Sequence, residues 1–110
     1  MELDILDILK ACRRSRVKVR VWRGLVELRV AVVPELAEKA QTTPDRVLAV
    51  LHGDGRKYRQ DSSLVTLGLA RPTQPDEQGR YGAYALTRRG EAAWEPVLAR
   101  LTKTRGPPAG

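Results

Sequence analysis

The residues of this chain that could do chemistry are mainly arginines. Fifteen of its twenty basic residues are Arg, and the formal net charge of the 110 residues is +7. A guanidinium group binds phosphate oxygens and the guanine edge through paired hydrogen bonds, whereas the Lys ammonium group acts as a point charge. A small protein of this charge attracts polyanions. The composition therefore predicts nucleic acid as the partner. A GC-rich genome or a thermophilic host, which the absence of Asn also suggests, is the alternative source of the Arg excess.

Catalysis is not expected. Cys12 and His52 are the only residues of their types, so one chain cannot assemble a zinc site, a Cys–His pair or a Ser–His–Asp triad. The carboxylates of Asp4 and Asp7 fall on the exposed face of a predicted helix, and the sequence has no glycine-rich phosphate loop. We therefore predict that the protein is not an enzyme and uses neither a cofactor nor a metal.

The same composition predicts one domain and an intracellular location. A single Cys cannot form an intrachain disulfide, and no signal sequence or run of membrane-spanning length is apparent. We expect a cytoplasmic, nucleoid-associated protein that does not bind membranes. Its domain is predicted to cover residues 1–102, and the Gly- and Pro-rich residues 103–110 are predicted to form a flexible tail.

Hydrophobic periodicity predicts a helix over residues 2–14, followed by a β-ribbon. Val17, Val19 and Val21 alternate with polar residues and predict a strand over 17–22. Gly24 then offers a turn into a second strand over 25–31, although a helix also fits that segment.

Capping signals predict the elements that follow. Pro34 can begin a short helix, and Thr43 followed by Pro44 predicts the start of a second helix that ends near His52. Two glycines separate it from a further helix predicted over 56–67. Two strands, over 69–73 and 81–86, flank a polar loop, and Thr87 can cap a last helix that Pro96 is expected to kink.

This element order resembles the winged helix-turn-helix family of DNA-binding proteins, in particular its small archaeal and bacterial transcription regulators. The resemblance lies in residues 36–47 (LAEKAQTTPDRV), 64–70 (LVTLGLA) and 84–90 (YALTRRG). It implies an α+β fold with a three-helix core and a β-wing, here with an extra ribbon after the first helix and a C-terminal helix. Gln41 and Thr42 depart from the pattern, because the family commonly has Gly and an apolar residue there, and this predicts a distorted turn.

The sequence leaves two interpretations of the recognition helix, the helix that enters the major groove. If it is the helix over 44–52, the residues nearest the bases include Asp45 and Arg46, with Thr43 at its N-cap. If it is the helix over 56–67, the set is richer in groups that reach phosphates and base edges. That set contains Arg56, Lys57, Arg59, Gln60 and Ser63. The motif favours the first interpretation, and we expect the second segment to contact DNA in either case.

Three further arginines complete the candidate DNA-binding residues. The resemblance implies that Arg80, at the tip of the wing, lies along the DNA backbone or in the minor groove. Arg71 belongs to the strand before the wing. Arg88 begins the last helix, where its charge opposes the helix dipole, so that an external anion or a pair with Glu91 or Glu95 would offset the cost.

The residues from 13 to 23 hold six cations and no acid. This run predicts a second phosphate-binding face, with an ordinary solvated surface as the alternative. The edge of the predicted ribbon could instead pair with a second copy, and we expect a homodimer. The function predicted is double-stranded DNA binding by a transcription regulator. The alternatives are an architectural protein that coats DNA and a winged-helix module that binds other proteins.

Overall fold

The structure, a computed structural model, describes residues 5–55, 62–74 and 82–103. Its helices pack around a small three-stranded antiparallel sheet in which the strand order is β1-β3-β2. This architecture confirms the predicted α+β class. The elements in chain order are α1 (Ile5–Arg13), α2 (Arg16–Leu28), β1 (Val30–Val32), α3 (Val33–Lys39), α4 (Pro44–His52), β2 (Ala70–Gln74), β3 (Ala83–Leu86) and α5 (Arg88–Lys103). None of these helices is long and apolar enough to cross a membrane.

The predicted β-ribbon after the first helix is wrong, because residues 16–28 form the single helix α2. Ser15 caps this helix by accepting a hydrogen bond from the backbone N–H of Lys18 at 3.1 Å. Val21, Trp22 and Leu25 fall on one face at helical spacing, and all three are fully buried. β-Branched residues lower helix propensity only slightly, so burial of this face outweighs the alternating valines.

Trp22 connects α2 to α5 at the centre of the core. Its indole N–H donates to the carbonyl oxygen of Gly90 at 3.1 Å, and its ring meets the ring of Trp94 edge-on with 5.0 Å between centroids. Trp94 and Tyr84 are both buried in this core.

The helix pair α3 and α4 forms as predicted. Pro34 lies in the first turn of α3, and the Thr43 hydroxyl accepts the backbone N–H of Arg46 at 3.2 Å to cap α4. The turn between them keeps the geometry of a glycine, because Gln41 adopts a φ of 56° in the left-handed region. A side chain in this conformation costs on the order of 1 kcal/mol. Where the family pattern has Gly, this chain therefore has a strained Gln41, and the turn keeps the backbone conformation of a glycine.

The predicted helix over 56–67 is wrong for residues 63–67, which form a bend and turns. The chain leaves α4 at Gly53 and returns at Leu64, whose backbone N–H donates to the carbonyl of Val50 at 3.1 Å. The N–H of Val65 likewise donates to the carbonyl of Leu51 at 3.0 Å. These bonds satisfy carbonyls that the end of a helix otherwise leaves unpaired. The segment between α4 and β2 thus starts and ends against the last turn of α4, and residues 56–61 lie outside the described residues.

The hairpin of β2 and β3 leads into α5 as the sequence predicts. The Thr87 hydroxyl accepts the N–H of Gly90 at 2.9 Å and donates to the carbonyl of Gly68 at 2.5 Å. Thr87 therefore caps α5 and fixes its start against the turn before β2. The helix continues through Pro96.

Candidate nucleic-acid interface

The start of α4 presents three of the predicted DNA-binding residues together. Thr43, Asp45 and Arg46 are all exposed, and the Thr43 cap fixes the backbone from which the other two project. Within the described ranges, Arg46 has no ion-pair partner. Its guanidinium group is therefore free to bind a guanine edge or a phosphate, whereas the carboxylate of Asp45 can accept only from a base donor such as cytosine N4.

The other described candidates lie on the wing hairpin and at its base. Arg71 is exposed on β2, opposite Ala85 of β3. Arg88 is the exposed first residue of α5 and follows the end of β3 that lies away from the wing loop. The fold thus separates Arg88 from the tip of the hairpin. Arg56, Lys57, Arg59, Gln60 and Arg80 lie outside the described residues.

Glu91, one of the two acids expected to pair with Arg88, does not pair with it. Glu91 instead pairs with Arg29 at 3.0 Å. Arg88 has no ion-pair partner in the described part of the chain, so its charge at the start of α5 stays available to an anion.

A contact that sequence reasoning missed joins α4 to the wing hairpin. The His52 ring, at the last residue of α4, contacts the hydroxyl of the buried Tyr84 on β3. Burial raises the pKa of Tyr84, so its hydroxyl keeps its proton. This contact turns the His52 ring toward the hairpin. Residues 32 positions apart make the contact, and no local pattern indicates it.

The basic run of residues 13–23 lies mostly on the helix α2, whereas the sequence predicts a strand there. On α2, Arg16, Arg20 and Arg23 are exposed, whereas Lys18 is buried at 4% exposure. Arg23 is also paired, with Glu27 at 3.4 Å. The run therefore supplies fewer free cations than the sequence suggests, and they lie along a helix rather than a strand.

Cys12 is buried on the inner face of α1, and its burial makes the stability of the protein depend on pH. Burial raises the pKa of its thiol from 9.0 to about 11, while the charge of Lys18 partly opposes the rise. The folded protein thus holds this proton more tightly than the unfolded chain, so the stabilisation is complete below pH 9 and is lost as the pH rises through 11. The loss near the upper value is about 2 kcal/mol.

Urea unfolding of the wild type and Cys12→Ala at pH 9 and pH 11 measures this difference. The variant should be less stable at the lower pH but should lose less stability across the interval. Parallel losses in the two proteins would show that Cys12 does not contribute. A thiol with so high a pKa also reacts slowly with oxidants, which argues against oxidant sensing.

Comparison with known proteins identifies the family. A family model described as EarA-like matches residues 8–97. The chain belongs to the EarA-like family. No curated protein is significantly similar to this EarA-like chain in sequence.

One similar solved structure is a crystal structure of NadR in complex with 4-hydroxyphenylacetate. Its TM-score is 0.60 at 21% sequence identity, and the match covers 92% of the EarA-like chain and 64% of the NadR chain. This likeness shows the fold, which is the winged helix expected from the sequence. In this fold α4 is the second helix of the helix pair, and the β2–β3 hairpin comes after it in the chain.

Proposed function

We propose that this EarA-like protein is a transcription regulator that binds double-stranded DNA, with α4 in the major groove and the β2–β3 hairpin beside it. The observation that carries the proposal is the exposed start of α4, where Arg46 projects without an ion-pair partner in the described part of the chain. The net charge of +7 supports it, since the phosphate backbone supplies much of the affinity of such proteins.

The same features support a division of roles among the candidate residues. Arg46 and Asp45 would read base edges, and Thr43 would hold them in position. Arg71 and Arg88 would bind phosphates, as would the four candidates of residues 56–60 and Arg80. We also propose that the protein acts in the cytoplasm and is not an enzyme.

An architectural protein that coats DNA without reading bases is the second candidate function. This function is favoured because α4 offers few groups that could read bases. Arg46 is the one Arg or Lys of α4, although the whole chain has a net charge of +7. Such a protein relies on Arg–phosphate contacts and on the deformability of DNA.

Duplex binding across a salt series distinguishes these functions. We expect the purified protein to bind its own promoter at least about a thousandfold more tightly than random duplex DNA, with a steep loss of affinity as salt rises. Equal affinities with the same steep slope would favour coating. Absence of binding to either duplex at low salt would contradict both functions and favour a module that binds other proteins.

We further propose that the protein is a homodimer. The ribbon edge first expected to pair does not exist, but α1 exposes Leu6 at 63% and the edge strand β1 exposes Val30 at 56% and Val32 at 40%. Val30 and Val32 lie on one face of this edge strand, and an open strand edge with apolar side chains is a typical site of association.

Sedimentation equilibrium should give twice the mass of the 12.3 kDa chain, and a monomer at micromolar concentration would contradict the proposal. Leu6→Glu and Val30→Lys, measured separately, identify which surface associates.

A further inference from the structure

A groove between α2 and α3 is lined by polar and charged side chains that the proposed function does not use. Its volume is about 310 Å³. Small-molecule sites begin near this size, so the groove has room for a phosphate group or a small phosphorylated compound. The lining residues are Arg20, Arg23, Gly24, Glu27, Lys39 and Gln41.

The groove exists because α2 has a glycine where it meets α3. An added Cβ on Gly24 would lie 3.2 Å from Cδ2 of Leu36 and 3.8 Å from Cβ of Lys39. The bare backbone therefore forms the floor of the groove. Arg23 is three residues from Arg20 and four from Glu27, so these three side chains lie along one face of α2, beside the floor that Gly24 forms.

The charges that line the groove favour an anion. Three lining residues are cations and one is an acid, which leaves two positive charges in excess. The Glu27 carboxylate lies 3.4 Å from Nε of Arg23 and 3.2 Å from Nζ of Lys39. These groups are 41–69% exposed, and exposed pairs of this kind are weak. Arg20 has no ionic partner in the described ranges, so an incoming phosphate finds one free guanidinium and two weakly held cations.

Gln41 connects the groove to the start of α4. It is the residue held in the left-handed conformation, and it lies two positions before the Thr43 cap. Its side-chain amide can donate two hydrogen bonds to phosphate oxygens. A non-glycine residue kept in a strained conformation often has a role in binding, and here the side chain lines a cationic groove.

We propose that the groove between α2 and α3 is a phosphate-binding site in which Arg20, Lys39 and Gln41 hold the anion and Arg23 completes the cationic wall. The phosphate belongs either to a small phosphorylated compound or to the DNA backbone next to α4. Only the second source rests on the proposed function. In both cases Glu27 competes with the phosphate for Arg23 and Lys39.

Calorimetric titration of the full chain with pyrophosphate tests the site without DNA. Arg20→Gln should weaken binding at least about tenfold, since a hydrogen bond between charged groups contributes that much or more. Lys10→Gln is the matched control, because it removes one exposed cation from α1 and does not line the groove. It should leave the affinity within about twofold. Glu27→Gln should tighten binding, because it removes the competing carboxylate.

The salt dependence of duplex binding identifies the source of the phosphate. If the groove binds the DNA backbone, Arg20→Gln should reduce the slope of log affinity against log salt by about one, and Lys10→Gln should not. Pyrophosphate binding that requires Arg20, with an unchanged slope, would instead assign the site to a small compound. Equal behaviour of the two variants in both experiments would overturn the proposal. A wild type that binds no duplex contradicts the proposed function, and the pyrophosphate titration alone then decides the site.

Discussion

Gly90→Ala is expected to destabilise the protein by about 3 kcal/mol or more. A Cβ at this position would lie 2.3 Å from the carbonyl oxygen of Leu69 and 2.9 Å from Cδ1 of Leu86. The Leu69 oxygen belongs to the backbone just before β2, so it cannot rotate away. The carbonyl of Gly90 also accepts the buried indole N–H of Trp22. Any shift of α5 that relieves the clash therefore weakens that hydrogen bond.

Urea unfolding of Gly90→Ala beside Gly24→Ala measures the effect with a matched control. Both glycines lie in helices, but a Cβ on Gly24 meets the end of the Leu36 side chain at 3.2 Å, which can adjust. Ala is also favoured over Gly in a helix by about 1 kcal/mol. We expect Gly24→Ala to stay within about 1 kcal/mol of the wild type. Similar losses in the two variants would show that the contact with Leu69 does not decide the outcome.

Arg46→Ala is expected to reduce the preference for the promoter over random duplex by about tenfold to a hundredfold. One guanidinium bound to a guanine edge contributes about 1–3 kcal/mol of discrimination. Arg46 is exposed and its backbone N–H is held by Thr43, so the side chain projects from a fixed position. The ratio of the two affinities is the measurement, because a lost phosphate contact lowers both affinities alike.

Arg88→Ala provides the control for this ratio. It removes the same charge from an exposed residue at the base of the hairpin, so both affinities can fall while their ratio stays constant. If Arg46→Ala leaves the preference intact and Arg56→Ala or Arg59→Ala abolishes it, base reading belongs to the segment after α4 and the assignment to Arg46 is wrong.

The helix pair and the start of α5 were predictable because their signals are local. Thr43 and Thr87 each accept a backbone N–H three residues ahead, and a cap of this kind specifies a helix start almost regardless of the rest of the chain. Ser15 gives the same signal before α2. The alternation of Val17, Val19 and Val21 predicts a strand over the same residues, and packing against the core decides for the helix.

The groove and the link between α4 and the hairpin could not be predicted, because both depend on contacts between distant residues. Gly24 indicates a turn when the surrounding residues are interpreted as strands, and it becomes a close-packing residue only once α2 is a helix. Likewise, no pattern in the sequence indicates that His52 and Tyr84 make contact. The basic run from 13 to 23 includes Arg20 and Arg23, but nothing local in the sequence indicates that they meet Lys39 and Gln41 on one surface.

The two ends of the segment between Gly53 and Leu64 determine how this protein can accommodate changes in length. Both ends of the segment are anchored on the last turn of α4, through the N–H of Gly53 to Ala49 and the N–H of Leu64 to Val50. Because these two bonds fix Gly53 and Leu64 to α4, we expect a change in the number of residues between them to leave β2, β3 and α5 in place. The DNA-binding candidates of residues 56–60 can therefore be replaced or moved along the chain without disturbing the packed helices.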